Sequence, residues 1–231
     1  MTMGCCCSSV GAAAERQFGD ERAAEDLAQY RTKGAGSTAR LLLAGIARAG
    51  QLRGRLLDIG SGIGALTFEL LERGLTEAIG VDLSPAYVAA ASGEAARRGR
   101  TNSVRFVHGD FVAIADQLAA ADLVTLDRVI CCYPEYETLL DESVRHADRQ
   151  LAFSYPRDVW HVRVWVRLQN LARQLCRNPF RTFVHPASAM EHMIRRAGFE
   201  LVSRDCTRMW CADVYARTRQ LGSELLSALS A

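Results

Sequence analysis

Apolar residues arrive along this chain in short unbroken runs, separated by stretches whose apolar positions recur at helical spacing. Leu56, Leu57 and Ile59 form the first run, and Leu66, Leu70 and Leu71 then share one side of a helix. The alternation repeats. Glu77 to Val81, Ser103 to Val107, Ala121 to Leu126 and Gln150 to Ser154 read as strands, with ADLVTL apolar enough to be buried on both faces. Pro85 to Arg98 reads as a helix, capped by Ser84 and carrying Pro85 in its first turn. Glu21 to Tyr30, Ser37 to Ala49, Asp158 to Arg177 and Pro186 to Ala197 read as further helices. Phe199 to Arg204 and Arg208 to Arg217 read as a closing strand pair, the second returning antiparallel. Strands alternating with helices predict an α/β fold: a Rossmann-like, mostly parallel sheet of seven strands with helices on both faces.

The turn after the first strand carries the chemistry. Asp58 ends the strand, and Gly60, Gly62 and Gly64 follow at alternate positions. Glycine has no Cβ, so a ligand there rests on bare backbone. In an open α/β sheet, ligands settle at the carboxyl ends of the strands. A dinucleotide loop wants G-x-G-x-x-G, with its amides on a pyrophosphate. Here the spacing is G-x-G-x-G beside an acid, which suits a cationic group better than a phosphate. Asp82 then ends the second strand, where a carboxylate can grip a ribose edge. The loop DIGSGIG followed by VDLS resembles the first two motifs of class I S-adenosylmethionine-dependent methyltransferases.

That resemblance implies S-adenosylmethionine as cofactor, held by Asp58, Gly60, Gly62, Gly64, Asp82 and Leu83. It also implies an adenine site at Asp110 and Phe111 after the third strand, the acid taking the exocyclic amine and the ring packing on the purine; the alternative for the pair is a helix cap and plain core. Asp127, counted among the cofactor contacts, lies with Arg128, Cys131, Cys132, Tyr133 and Pro134 after the fourth strand, which in this fold faces the transferred methyl. A helical N-terminal segment often covers the cofactor in such enzymes, which places Tyr30, Arg31 and Lys33 near the site or at a solvated helix end.

Length and charge agree with one enzyme domain. The chain has 231 residues, enough for one good core, and a net charge of +2 that gives no case for a nucleic-acid partner. No window reaches the roughly 18 apolar residues of a membrane span. No secretory signal is evident, so the expected location is cytoplasmic. Residues 1–14 read as a disordered tail, 15–217 as one domain with a helical cover (15–50) and a lid-like insertion (158–177), and 218–231 as a C-terminal tail. The insertion sets Trp160, Val164, Leu168, Leu171 and Leu175 at helical intervals among arginines. It reads as a lid, as peripheral membrane contact, or as ordinary core packing. The eight cysteines (Cys5–Cys7, Cys131, Cys132, Cys176, Cys206, Cys211) have no disulfide-framework or C-x-x-C spacing, and no metal site is expected.

The motif order DRVICCYPEYETLL, LAFSYPR, FRTFVHP is similar to the magnesium-protoporphyrin O-methyltransferase group. That group carries a tyrosine in its N-terminal segment, which Tyr30 matches, and Ile-His-Tyr-Pro after the fourth strand. This chain has Cys131-Cys132-Tyr133-Pro134 there. The expected activity is methyl transfer to a small-molecule acceptor, with magnesium-protoporphyrin as the specific alternative. A hydroxyl or amine acceptor needs a base, for which the candidates are Tyr30, His185 and Cys132, His185 alternatively capping the next helix. An RNA acceptor lacks the [DN]-P-P-[YF] tetrad that base methylation typically uses. A non-catalytic cofactor-binding protein is the remaining alternative.

Overall fold

The computed structural model describes residues 17–218. Its strands are β1 (Arg55–Ile59), β2 (Glu77–Asp82), β3 (Val104–His108), β4 (Ala121–Leu126), β5 (Ala147–Pro156), β6 (Phe199–Cys206) and β7 (Trp210–Arg217). They form one sheet in the order β3-β2-β1-β4-β5-β7-β6. The first five are parallel, and β7 runs antiparallel between β5 and β6. The helices are α1 (Asp20–Lys33), α2 (Ser37–Arg48), α3 (Ala65–Glu72), α4 (Pro85–Arg97), the single turn α5 (Phe111–Ile114), α6 (Tyr136–His146), α7 (Trp160–Leu175) and α8 (Ala187–Arg196).

Successive side chains of a strand leave opposite faces, and β1 shows what that does here. Leu56 enters a core with Leu42 and Ile46 of α2 and Phe68 and Leu70 of α3. Leu57 enters the other core, with Leu139 and Leu140 of α6 and Ile194 of α8. Both faces are covered, which is why β1 and β4 read as unbroken apolar runs. The strand order reverses between β1 and β4, so the loops following those strands diverge and open a crevice at their carboxyl ends.

Three features depart from the sequence pattern. Strand β5 begins three residues earlier than its apolar centre, since Ala147 already pairs with Ala121. A one-turn helix follows β3, started by the Asp110 side chain accepting from Val112 N–H at 3.1 Å. Cys206 and Cys211, read as isolated, are register partners across the β6–β7 turn and form a disulfide. The turn brings together two residues whose spacing gave no such sign. Below it, buried Asp213 accepts from Arg204, Tyr155 and Tyr215 and so joins the last three strands. Removing Arg204 would leave that charge uncompensated, a change that typically costs about 3–5 kcal/mol.

Candidate active site

The glycine turn sits at the carboxyl end of β1 with its backbone already committed. Gly60 and Ser61 donate to the Val81 carbonyl at 2.7 and 3.1 Å, so the turn is hung on β2. Gly60 has φ +64°, and a Cβ there would lie 2.3 Å from Val129 Cγ2. Gly62 has φ +54° and donates its N–H to Asp82 Oδ2 at 2.8 Å, while Ser84 N–H reaches Oδ1 at 2.8 Å. A carboxylate has about four acceptor sites, so Asp82 keeps roughly two for a ligand. Burial raises its pKa.

Asp58 is placed differently from the expectation. It is 1% exposed, and its two oxygens accept from Thr67 Oγ1 at 2.6 Å and Thr125 Oγ1 at 2.7 Å. It is therefore buried with both oxygens already engaged. Burial pushes its pKa up to about 6, against two threonine hydroxyls that lower it, with the Asp127 and Asp82 charges adding to the rise. Asp127 accepts from Ser154 Oγ at 2.6 Å and from Thr38 Oγ1 at 3.1 Å, and burial raises its pKa too. The partners of these three carboxylates are hydroxyls and backbone amides. This end of the sheet is electronegative and favours a cation.

Leu83 is half-buried at the end of β2, its carbonyl 3.1 Å from His108 Nε2. Asp110 caps α5 and also accepts from Tyr133 O–H, which ties the end of β3 to the loop after β4. Phe111 is core: it is 3% exposed, with its ring edge-on to His146, so the ring offers no open face to a purine.

The three base candidates do not converge. Tyr30 is buried on α1, its hydroxyl 3.4 Å from Glu69 on α3 and the Arg98 guanidinium over its ring. The opposite end of this segment meets the site: the Phe18 carbonyl accepts from Ser84 Oγ at 2.6 Å, and its ring packs edge-on against Tyr87 and Phe180. Ten residues of α1 separate Asp20 from Tyr30, roughly 15 Å at helical rise. Burial also pushes the Tyr30 phenol up to about 12, where it does not serve as a base near neutrality. His185 is buried too, with Nε2 at 2.9 Å from the Tyr133 carbonyl and 3.2 Å from that of Ile130. It pins the loop after β4; it does not cap α8, whose N-cap is Pro186. Burial lowers its pKa, so the ring stays neutral.

Of the three base candidates, Cys132 alone is half-exposed. Its Sγ is 3.8 Å from that of Cys131, whose thiol, with the Arg128 and Arg173 charges, holds Cys132 below the usual thiol range. Asp82 acts on it in the opposite sense, which places the ends of β2 and β4 within electrostatic reach of one another. Arg128 has φ +63°, with its N–H on Ser154 Oγ at 2.8 Å and its guanidinium over Trp210. Sequence reasoning missed Phe18, Thr38 and Ser154, single residues whose roles come only from distant partners.

Helix α7 reaches this region by its inner side. Asn170 and Arg173 bond Thr182, Arg173 stacks on Phe180, and Phe183 N–H donates to the Cys131 carbonyl at 2.7 Å. The Trp160–Leu175 stripe, read as a lid, a membrane contact or ordinary core packing, faces outward. The Cys5–Cys7 cluster lies outside the described residues; among these, no group of three potential metal ligands occurs.

Residues 56–150 match the family model described as a methyltransferase domain. This stretch is a methyltransferase domain, set in the fold that class I S-adenosylmethionine-dependent methyltransferases share. The whole fold is similar to magnesium protoporphyrin IX methyltransferase from Synechocystis PCC 6803 with bound SAH, at TM-score 0.68 and 18% identity over 90% of this chain and 99% of that one. It is similar to the N-methyltransferase NodS from Bradyrhizobium japonicum WM9 in complex with S-adenosyl-L-homocysteine, at TM-score 0.61 and 17% identity over 91% and 99%. A putative sarcosine dimethylglycine methyltransferase from Galdieria sulphuraria gives TM-score 0.62 and 11% identity over 78% and 85%. The donor set of the methyltransferase domain fits its cofactor. Asp82 has acceptor capacity for ribose hydroxyls, and the buried Asp58 with the half-buried Asp82 and Asp127 favours a sulfonium and an ammonium. The buried Ser61 Oγ has no partner in the protein and lies in the same turn.

Proposed function

We propose that the domain acts in the cytoplasm on a small-molecule acceptor that presents a carboxylate. The observation that carries this reading is the pair Arg128 and Arg173 beside Cys132, at a site that neither Tyr30 nor His185 faces. A carboxylate is anionic at neutral pH and needs cations to orient it, with no base to deprotonate it. The cofactor, when bound, supplies a methyl group already activated on a sulfonium. Asp82 holds the ribose hydroxyls, the Gly60–Gly64 turn lets the ligand lie on backbone, and Leu83 and Asp110 flank the adenine. Asp58 and Asp127 contribute negative charge. Arg128 orients the acceptor, while Phe18 and Phe180 exclude water. Alignment of this kind contributes up to roughly 7–11 kcal/mol in ideal intramolecular systems.

A crown formed by residues 17–18 and 178–183 favours a small acceptor over a polymer. Magnesium-protoporphyrin is the specific second reading, favoured by a likeness to its methyltransferase that runs nearly end to end in both chains. The test incubates the purified protein and methyl-labelled S-adenosylmethionine with fractionated cell extract, and with magnesium-protoporphyrin in a separate arm. Label should enter the small-molecule fraction and be released as methanol by mild base, as a methyl ester requires. Label in RNA or protein, or label stable to base, would overturn the reading.

A further inference from the structure

Helix α7 is built the wrong way round for a core helix. Only Val162 and Val166 are buried, whereas Trp160, Val164, Trp165, Leu168, Leu171 and Leu175 are exposed, the two end residues at 77% and 78%. All the exposed large hydrophobic side chains among the described residues lie on this one helix. Trp160, Val164, Leu168, Leu171 and Leu175 follow at intervals of three or four, so they form one continuous stripe. A stripe of this size exposed on one element marks an interaction surface.

Charge identifies what the stripe meets. Residues 157–181 contain six arginines and one aspartate, while the rest of the chain carries 22 basic and 25 acidic residues. The protein's positive charge is thus gathered around the apolar stripe. Arg163, paired with Asp158 just before the helix, and Arg167 are exposed on the helix itself, which contains no carboxylate. We propose that α7 docks the protein on an anionic lipid bilayer, lying in the headgroup plane with its tryptophans and leucines inserted. Sixteen residues of helix span roughly 24 Å, and with arginines among them the helix lies on the membrane without crossing it. A second copy of the chain fits poorly, because two such helices face to face would oppose arginines with no carboxylate on either. Residues 1–16 and 219–231 offer one glutamate each as cover for the arginines.

The inner side of α7 holds Thr182 and Phe180, so docking fixes the mouth of the site relative to the membrane without engaging the residues that line it. The inference does not depend on the identity of the acceptor.

The experiment uses the full chain with vesicles of phosphatidylcholine alone or mixed with phosphatidylglycerol. The protein should sediment with the mixed vesicles and be released by salt, and its tryptophan emission should shift to the blue on binding. A Trp160→Ser, Leu168→Ser, Leu175→Ser variant should lose the vesicles yet keep its thermal melt and its S-adenosylhomocysteine affinity. Arg163→Glu with Arg167→Glu should abolish the preference for anionic lipid. Absence of sedimentation with mixed vesicles would overturn the proposal, as would equal binding to neutral ones. So would tryptophan emission already blue in buffer and unmoved by lipid, which would mean that the chain covers its own stripe. Self-association in buffer that the triple variant relieves would assign the face to a second copy instead.

Discussion

The Asn178 side-chain amide donates to Gln17 Oε1 at 3.0 Å, joining the start of the described chain to the segment that follows α7. Neighbouring Phe18 and Phe180 pack edge-on at 5.3 Å, so the two segments close together beside the end of β2. The two segments thereby share one crown, although 161 positions separate Gln17 from Asn178.

Asp82→Ala should weaken S-adenosylhomocysteine binding by about 1–3 kcal/mol, because the ribose loses a charged acceptor and the Gly62 and Ser84 amides lose their partner. Calorimetry reads this directly. Unchanged affinity would rule out the ribose role of Asp82.

Asp58→Asn should make the protein more stable above pH 6, with the gain fading as pH falls. The folded carboxyl titrates near 6 against an ordinary value of 3.8, so the folded state holds a proton that the unfolded chain has lost. Stability supplied by that proton is present below about pH 4 and lost as pH rises towards 6. Asparagine carries no charge and escapes the loss. Thermal melts of both proteins from pH 4 to 8 should diverge with rising pH; parallel curves would refute the assignment. The same variant should bind the cationic cofactor more weakly at pH 8.

His185→Ala should cost about 1–3 kcal/mol of stability, since two buried carbonyls lose their donor. Turnover should fall with it, while cofactor affinity holds, because the loop carrying Cys132 is what loosens. His185→Gln, which can still donate, should recover part of both. The wild-type rate should show no inflection assignable to this ring near pH 6.5, since burial lowers its pKa. An inflection there that disappears in His185→Gln would restore it as a base.

Cys132→Ser should keep most activity, because a carboxylate acceptor needs no thiolate. Cys132→His should change acceptor preference without moving cofactor affinity. Loss of all turnover in Cys132→Ser, with the fold intact, would make the thiol part of the chemistry.

The strand-turn-helix-strand unit around the glycine turn was legible because its signals are local: Asp58, three glycines and Asp82 lie within it. The acceptor half was not. His185 looks like a base in FVHP, yet its partners are carbonyls 52 and 55 residues away. Tyr30 matches a family position, but the phase and length of α1 bring Phe18 to the site and turn Tyr30 towards Glu69. In α7 the periodicity was plain from sequence, whereas the direction of the stripe was not. Spacing fixes which residues share a side, and only packing decides which side faces in.

Gly60 and Val129 fit as tooth and notch, with Val129 Cγ2 filling the volume that any side chain at position 60 would need. The glycine turn and the loop after β4 are therefore meshed, and neither can shift without the other giving way. The expected kinetic expression is a compulsory order, cofactor before acceptor, with S-adenosylhomocysteine competing against S-adenosylmethionine alone in product-inhibition measurements; competition against the acceptor as well would refute it.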